Sequence, residues 1–110
     1  HQAGDDILMK LAKIVKHIIR KEDIAARYGG EEFCILLPNT SVKEAAIVAE
    51  KIRSNVEHAA FVYADQTISV TLSIGIHEIE KSISSGDEFI EKTDQKLYKA
   101  KENGRNQVSL

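Results

Sequence analysis

Tyr28-Gly29-Gly30-Glu31-Glu32-Phe33 stands between two β-prone runs, Ile24 to Tyr28 before it and Phe33 to Leu37 after it. Two such runs joined through adjacent glycines predict a hairpin with a tight tip. Glycine permits φ > 0 at that tip and lets another molecule approach bare peptide N–H groups. The two carboxylates that follow concentrate negative charge where a hard divalent cation can sit. The turn is therefore a candidate dock for a phosphate and its magnesium. The plainer reading is an ordinary glycine turn carrying two solvated glutamates.

Upstream of the hairpin, Ile7, Leu8, Leu11, Ile14, Val15, Ile18 and Ile19 recur at spacings of three, four and seven. This predicts a helix from Asp5 to about Arg20, with Asp5 or Asp6 capping its first turn. Downstream, Pro38-Asn39-Thr40-Ser41 ends the second strand and caps a second helix. That helix has Val42, Ala45, Ala46, Val48, Ala49, Ile52 and Val56 on or near its buried face. Thr67 to His77 is rich in β-branched residues and predicts a strand, with Phe61 to Tyr63 as a short hairpin arm against it. Gly86 to Asn103 returns to helical spacing, Gly104 falls where a C′ glycine belongs, and Gln107 to Leu110 predicts a last short strand. The order predicts an α+β sandwich, helices packed on a mainly antiparallel sheet. It resembles a ferredoxin-like βαββαβ unit whose opening strand is absent.

The 110 residues suit one small domain with its own core, and no repeat or linker divides them. A net charge of −2 gives no electrostatic footprint for a nucleic acid polymer. One cysteine, Cys34, excludes an internal disulfide and fits a reduced, cytoplasmic setting. Apolar runs such as Cys34-Ile35-Leu36-Leu37 are far below the ~20 residues of a bilayer span, so no membrane contact is expected of this segment. A chain opening on His1 rather than methionine reads as a fragment, a processed product or a trimmed piece.

Two further segments bear on the turn. Lys101 and Arg105 lie four apart across a helix end. Basic residues there complement the helix dipole. An ammonium beside a forked guanidinium also suits a polyphosphate. Just before the hairpin, Arg20-Lys21-Glu22-Asp23 places arginine and aspartate three apart, a weak pattern by itself.

Taken together, Arg27-Tyr28-Gly29-Gly30-Glu31-Glu32-Phe33, then Leu72-Ser73-Ile74-Gly75-Ile76, then Tyr98-Lys99-Ala100-Lys101-Glu102-Asn103-Gly104-Arg105-Asn106 resemble the GGDEF domain of bacterial diguanylate cyclases. The resemblance runs nearly the whole chain, with glutamate at the third signature position and Thr93-Asp94 where many members have Ala-Asp. It implies a nucleotide-cyclase, palm-like fold and a reaction joining two GTP into cyclic di-GMP and pyrophosphate, in a homodimer with Mg²⁺ or Mn²⁺. Gly29 and Gly30 would admit the phosphates. Glu31 would be a metal ligand, and Glu32 would join it as part of the catalytic acidic turn. Lys101 and Arg105 would grip the β- and γ-phosphates, and Asp5 would read guanine, though a helix cap suits Asp5 equally. Arg20 and Asp23 fall at the register of the family's inhibitory product site.

The same resemblance exposes departures. The family's opening strand carries an essential metal-binding aspartate, and the segment after it carries a lysine and an asparagine; this chain begins at the tail of that segment. The expectation is that the 110 residues alone do not make cyclic di-GMP. The missing strand would lie between Phe33–Leu37 and Thr67–His77, leaving two exposed strand edges. A non-catalytic domain of the same fold, binding GTP or cyclic di-GMP as a receptor, is the alternative.

Overall fold

The structure, a computed structural model, describes residues 2–29, 32–79 and 85–110. Its elements run α1 (Gln2–Ile18), β1 (Ile24–Gly29), β2 (Glu32–Leu36), α2 (Val42–His58), β3 (Phe61–Tyr63), β4 (Gln66–Ile68), β5 (Ile74–Gly75), α3 (Gly86–Glu102) and β6 (Val108–Ser109). The α+β class and the helix–hairpin–helix–strands–helix order are those the sequence predicts.

The apolar stripe of α1 turns Leu11 and Val15 fully inward, with Ile7, Leu8, Ile14 and Ile18 packed around them. They meet Ile52 and Val56 of α2 and Phe61 of β3, the last two almost wholly removed from water. On α2 the buried positions are Ala45, Ala49, Ile52 and Val56, spaced four, three and four, so one helical face does the packing. Within the Pro38–Ser41 run expected to cap α2, Ser41 is the cap: its Oγ accepts from the Glu44 N–H at 3.2 Å, and Glu44 Oε1 accepts from the Ser41 N–H at 3.0 Å. This reciprocal box satisfies two donors that a helix N-terminus otherwise leaves open.

Three expectations need correction. Helix α1 begins at Gln2, not Asp5, and ends at Ile18, two residues short of Arg20. Asp5 therefore lies inside the first turn, where a carboxylate favours the dipole, and is not the cap. The predicted strand over Thr67 to His77 exists only at its two ends, as β4 and β5. Its β-branched residues suit a strand, but a strand also needs a neighbour to bond, and residues 69–73 have none among the described residues. The sheet, finally, is three separate ladders: β1–β2 and β3–β4 antiparallel, β5–β6 parallel. Neither β2 nor β5 has a second strand partner among the described residues. This gap falls where the sequence leads one to expect unpaired edges, and every residue of β1 is exposed.

The β3–β4 hairpin turns at Ala64 and Asp65, both at positive φ (52° and 62°). Two consecutive left-handed residues match the strand twist of a tight two-residue hairpin. Helix α3, capped by Ser85, packs on β5 and β6. That approach is close enough that a Cβ on Gly75 would lie 2.7 Å from Leu97 Cα. Phe89 of α3 also meets the His77 ring beside β5, centroids 6.1 Å apart.

Candidate functional site

At the hairpin tip the ladder pairs Arg27 with Phe33 and then Gly29 with Glu32, so Tyr28 is the extra residue of a β-bulge. Bulges of this kind re-aim the backbone next to sites. A Cβ added to Gly29 would meet nothing within 4 Å, so this peptide faces open space. Gly29 does not use the positive φ that glycine allows; what its missing side chain contributes is access. Glu32 opens β2, half-buried beside it. Gly30 and Glu31 lie outside the described residues.

Lys101 and Arg105 lie at the C-terminal end of α3. Lys101 is half-buried in the last turn, and Arg105 is exposed just beyond it. The chain leaves the helix through Gly104, Arg105 and Asn106, with φ of 114°, 62° and 45°. The Arg105 N–H donates to Ala100 O at 2.9 Å, the long-range bond of a Schellman cap, and Gly104 takes the C′ place the sequence assigns it. Holding two L-residues left-handed costs roughly 1–3 kcal/mol each, so other contacts must fix this turn. Gln107 Nε2 donates to Asn103 O at 2.8 Å and to Arg105 O at 3.1 Å. Asn106 is tied to α2: Arg53 Nη1 donates to Asn106 Oδ1 at 2.8 Å, and Asn106 Nδ2 donates to Glu57 Oε2.

Arg53 is the hub of that tie. Its Nε and Nη2 donate to the two oxygens of Glu50 at 2.7 and 2.6 Å, and Nη1 reaches Glu57 Oε1 at 3.2 Å. The bond from Asn106, and then that from Arg53, hold the Glu57 carboxyl below the usual carboxylate range. The Arg53 bonds do the same for Glu50, and the Glu50 bond raises Arg53 further above its ordinary value. The sequence reading missed this network. Glu50-x-x-Arg53-x-x-x-Glu57 shows its helical half, but nothing local signals the reach to Asn106.

Arg20 and Asp23 are brought together. The Arg20 N–H donates to Asp23 Oδ2 at 2.8 Å, and the guanidinium Nε lies 3.6 Å from the same oxygen. Arg20 Nη2 also donates to Thr40 Oγ1 at 2.6 Å and Pro38 O at 3.2 Å, pinning this loop to the turn before α2. The Asp23 side chain is 2% exposed, and its Oδ1 has no hydrogen-bond partner among the described residues. Asp5 is exposed in the first turn of α1. Among the described residues no ion pair joins the hairpin tip to Lys101 or Arg105.

For a metal, the described residues hold no group of three His, Cys, Asp or Glu side chains. Mg²⁺ keeps several waters and commonly takes only one or two carboxylates, the rest of its shell coming from substrate phosphates. Glu32 beside the open Gly29 peptide is a hard-oxygen donor of that type. It fits an ion arriving with a polyphosphate, and it does not make a self-sufficient cage.

Comparison with known proteins gives a consistent result. A family profile described as "Diguanylate cyclase, GGDEF domain" matches residues 1–107. Over its whole length the chain is 46% identical to Diguanylate cyclase A of Treponema denticola. It is 45% identical over 109 residues to the uncharacterized protein YhcK of Bacillus subtilis. The chain spans 30% of the length of each of these relatives. Among solved structures, the GGDEF domain of DgcB from Caulobacter crescentus in complex with c-di-GMP superposes with a TM-score of 0.92 at 31% identity, covering 99% of this chain and 65% of that one. The active GGEEF domain of a diguanylate cyclase from Vibrio cholerae gives 0.86 at 34% identity, covering 99% and 69%.

Proposed function

This chain belongs to the diguanylate cyclase GGDEF domain family, and from that premise we propose that it is the GTP-binding part of an enzyme making cyclic di-GMP. The observation that carries the reading is 46% identity, over the whole of this chain, to a protein named as a diguanylate cyclase. The open peptide at Gly29 supports it, since a polyphosphate needs backbone it can approach without meeting a side chain.

In this reading the triphosphate lies along Gly29 and Gly30, and Lys101 and Arg105 take the β- and γ-phosphates. A helix C-terminus carries partial negative charge, so phosphate held there depends on those two side chains. Asp5 offers two acceptors to the two N–H donors on the Watson–Crick edge of guanine. Glu31 and Glu32 hold Mg²⁺ or Mn²⁺, which when bound polarises the phosphate and offsets charge on the leaving group. The 3′-hydroxyl of each GTP attacks the α-phosphate of the other, and pyrophosphate leaves. A product built from two equivalent halves calls for two domains facing each other about a two-fold axis, hence a homodimer. Two-metal phosphoryl transfer needs more oxygen ligands than these two carboxylates supply, so the 110 residues alone bind GTP without turning it over.

Arg20 and Asp23 supply the product site. Arginine can bond guanine bidentately, and Asp23, its Oδ2 3.6 Å from the guanidinium, orients it.

Titration calorimetry with GTP and Mg²⁺ tests the reading. Lys101→Ala and Arg105→Ala should each weaken binding by roughly tenfold or more, as loss of a hydrogen bond to a charged group does. Absence of GTP binding by the unaltered chain would remove the substrate assignment. Binding of cyclic di-GMP with no binding of GTP would favour the receptor instead.

A further inference from the structure

We propose that Asn106 and Arg53 are positioning residues for triphosphate binding: they fix the left-handed turn that carries Arg105, and so fix where its guanidinium meets the phosphates. The inference rests on the phosphate role given to Arg105 above and goes beyond it, to residues that touch no nucleotide.

Three observations carry it. The first is conformational. Gly104, Arg105 and Asn106 hold three consecutive positive φ values, and only the first residue is a glycine, so the turn persists because its surroundings impose it. The second is the source of that imposition. The Schellman bond fixes the Arg105 N–H to Ala100 O on its own helix. Asn106, by contrast, spends both ends of its amide on α2, its Oδ1 on Arg53 and its Nδ2 on Glu57. The turn is therefore clamped from two different helices, α3 at Arg105 itself and α2 at Asn106.

The third is the rigidity of the clamp. Arg53 is 14% exposed, engages both oxygens of Glu50 in a fork and reaches Glu57 as well. A guanidinium held at four N–H positions has little freedom, and it passes that order to Asn106. The Arg105 side chain itself makes no hydrogen bond or ion pair among the described residues, so the network orders its backbone and leaves its charge available. A long side chain on an unfixed turn would lose the entropy of that turn on gripping a phosphate, and a preset turn has already lost it.

The test measures GTP affinity in Mg²⁺ for the 110-residue chain as Arg105→Ala, Asn106→Ala, Asn106→Gly and the double variant Asn106→Ala with Arg105→Ala. Glycine at 106 keeps the positive φ while releasing both amide ties, so it serves if the alanine variant melts early. The expected result is a loss of roughly fivefold to tenfold for each Asn106 variant. The double variant should bind no worse than Arg105→Ala alone, because the clamp acts through that residue. A residue that only supports the fold would give losses that multiply. Multiplying losses, or Asn106→Gly binding like the parent, would overturn the inference and leave the GTP reading standing. An Arg105→Ala variant that binds GTP normally would sink the phosphate role of Arg105 and the inference together.

Discussion

Replacing Gly75 with alanine sets two opposite effects against each other, and the structure says which wins. Gly75 does not occupy the left-handed region, so alanine can adopt its backbone. On that ground alone the substitution would stabilise by about 0.4–1 kcal/mol, through a less disordered unfolded chain. The new Cβ, however, would stand 2.7 Å from both Leu97 Cα and the Lys96 carbonyl carbon. Carbon atoms in ordinary contact sit roughly 3.5–4.0 Å apart, so a gap of about 1 Å must open. Those neighbours are helix backbone, and α3 can yield only by sliding as a unit off β5. Forced overpacking costs about 1–3 kcal/mol, and an immovable backbone on one side puts this case at the upper end. The net expectation is a loss of about 2 kcal/mol, which for a domain this small lowers the melting temperature by roughly 10 °C. Circular dichroism melts would measure it, with Gly86→Ala as the control. Gly86 opens α3 with nothing within 4 Å of its added Cβ, so its alanine should be neutral or stabilising. A Gly75→Ala protein melting at or above the parent would refute the packing argument. It would mean that α3, which carries Lys101 and leads into the turn of Arg105, is not held at the observed distance from β5.

Phe61→Ala, at a side chain 2% exposed in the centre of the core cluster, should cost about 3–5 kcal/mol in urea unfolding. Ser41→Ala removes the α2 cap and should cost about 1 kcal/mol by the same measurement. Acid should unfold the chain in a definite sense. Glu44, held down chiefly by the Ser41 N–H bond, and Glu50 and Glu57, held down by Arg53 and Asn106, all titrate below their ordinary 4.5. A depressed carboxyl stabilises the fold above its unfolded pKa and loses that contribution as pH falls through the folded one. Stability should therefore be flat near neutrality and decline below about pH 4.5, with a shallower decline in Asn106→Ala; an unchanged acid limb in that variant would contradict the Glu57 assignment. Arg20→Ala should weaken cyclic di-GMP binding by roughly tenfold, and unchanged calorimetric affinity would remove Arg20 from the product site.

The sequence alone determined the three helices, the Ser41 cap, the Gly104 exit and the hairpin around Gly29. Each follows from interactions between residues within a turn or two of one another: apolar spacing, a hydroxyl near an open N–H, a glycine at a positive φ. The order of motifs named the family by the same local means. Only the tertiary structure decided which strands pair. Residues 69–73 have strand-forming side chains and no strand, because ladder bonds require a neighbour that composition cannot supply. It also decided why Gly75 is a glycine, through a helix backbone more than twenty positions downstream. The tie from Arg53 to Asn106 spans 53 residues of chain, and no window of sequence contains both ends. Local chemistry is written into neighbouring residues, whereas contacts such as these exist only once packing has brought distant segments together.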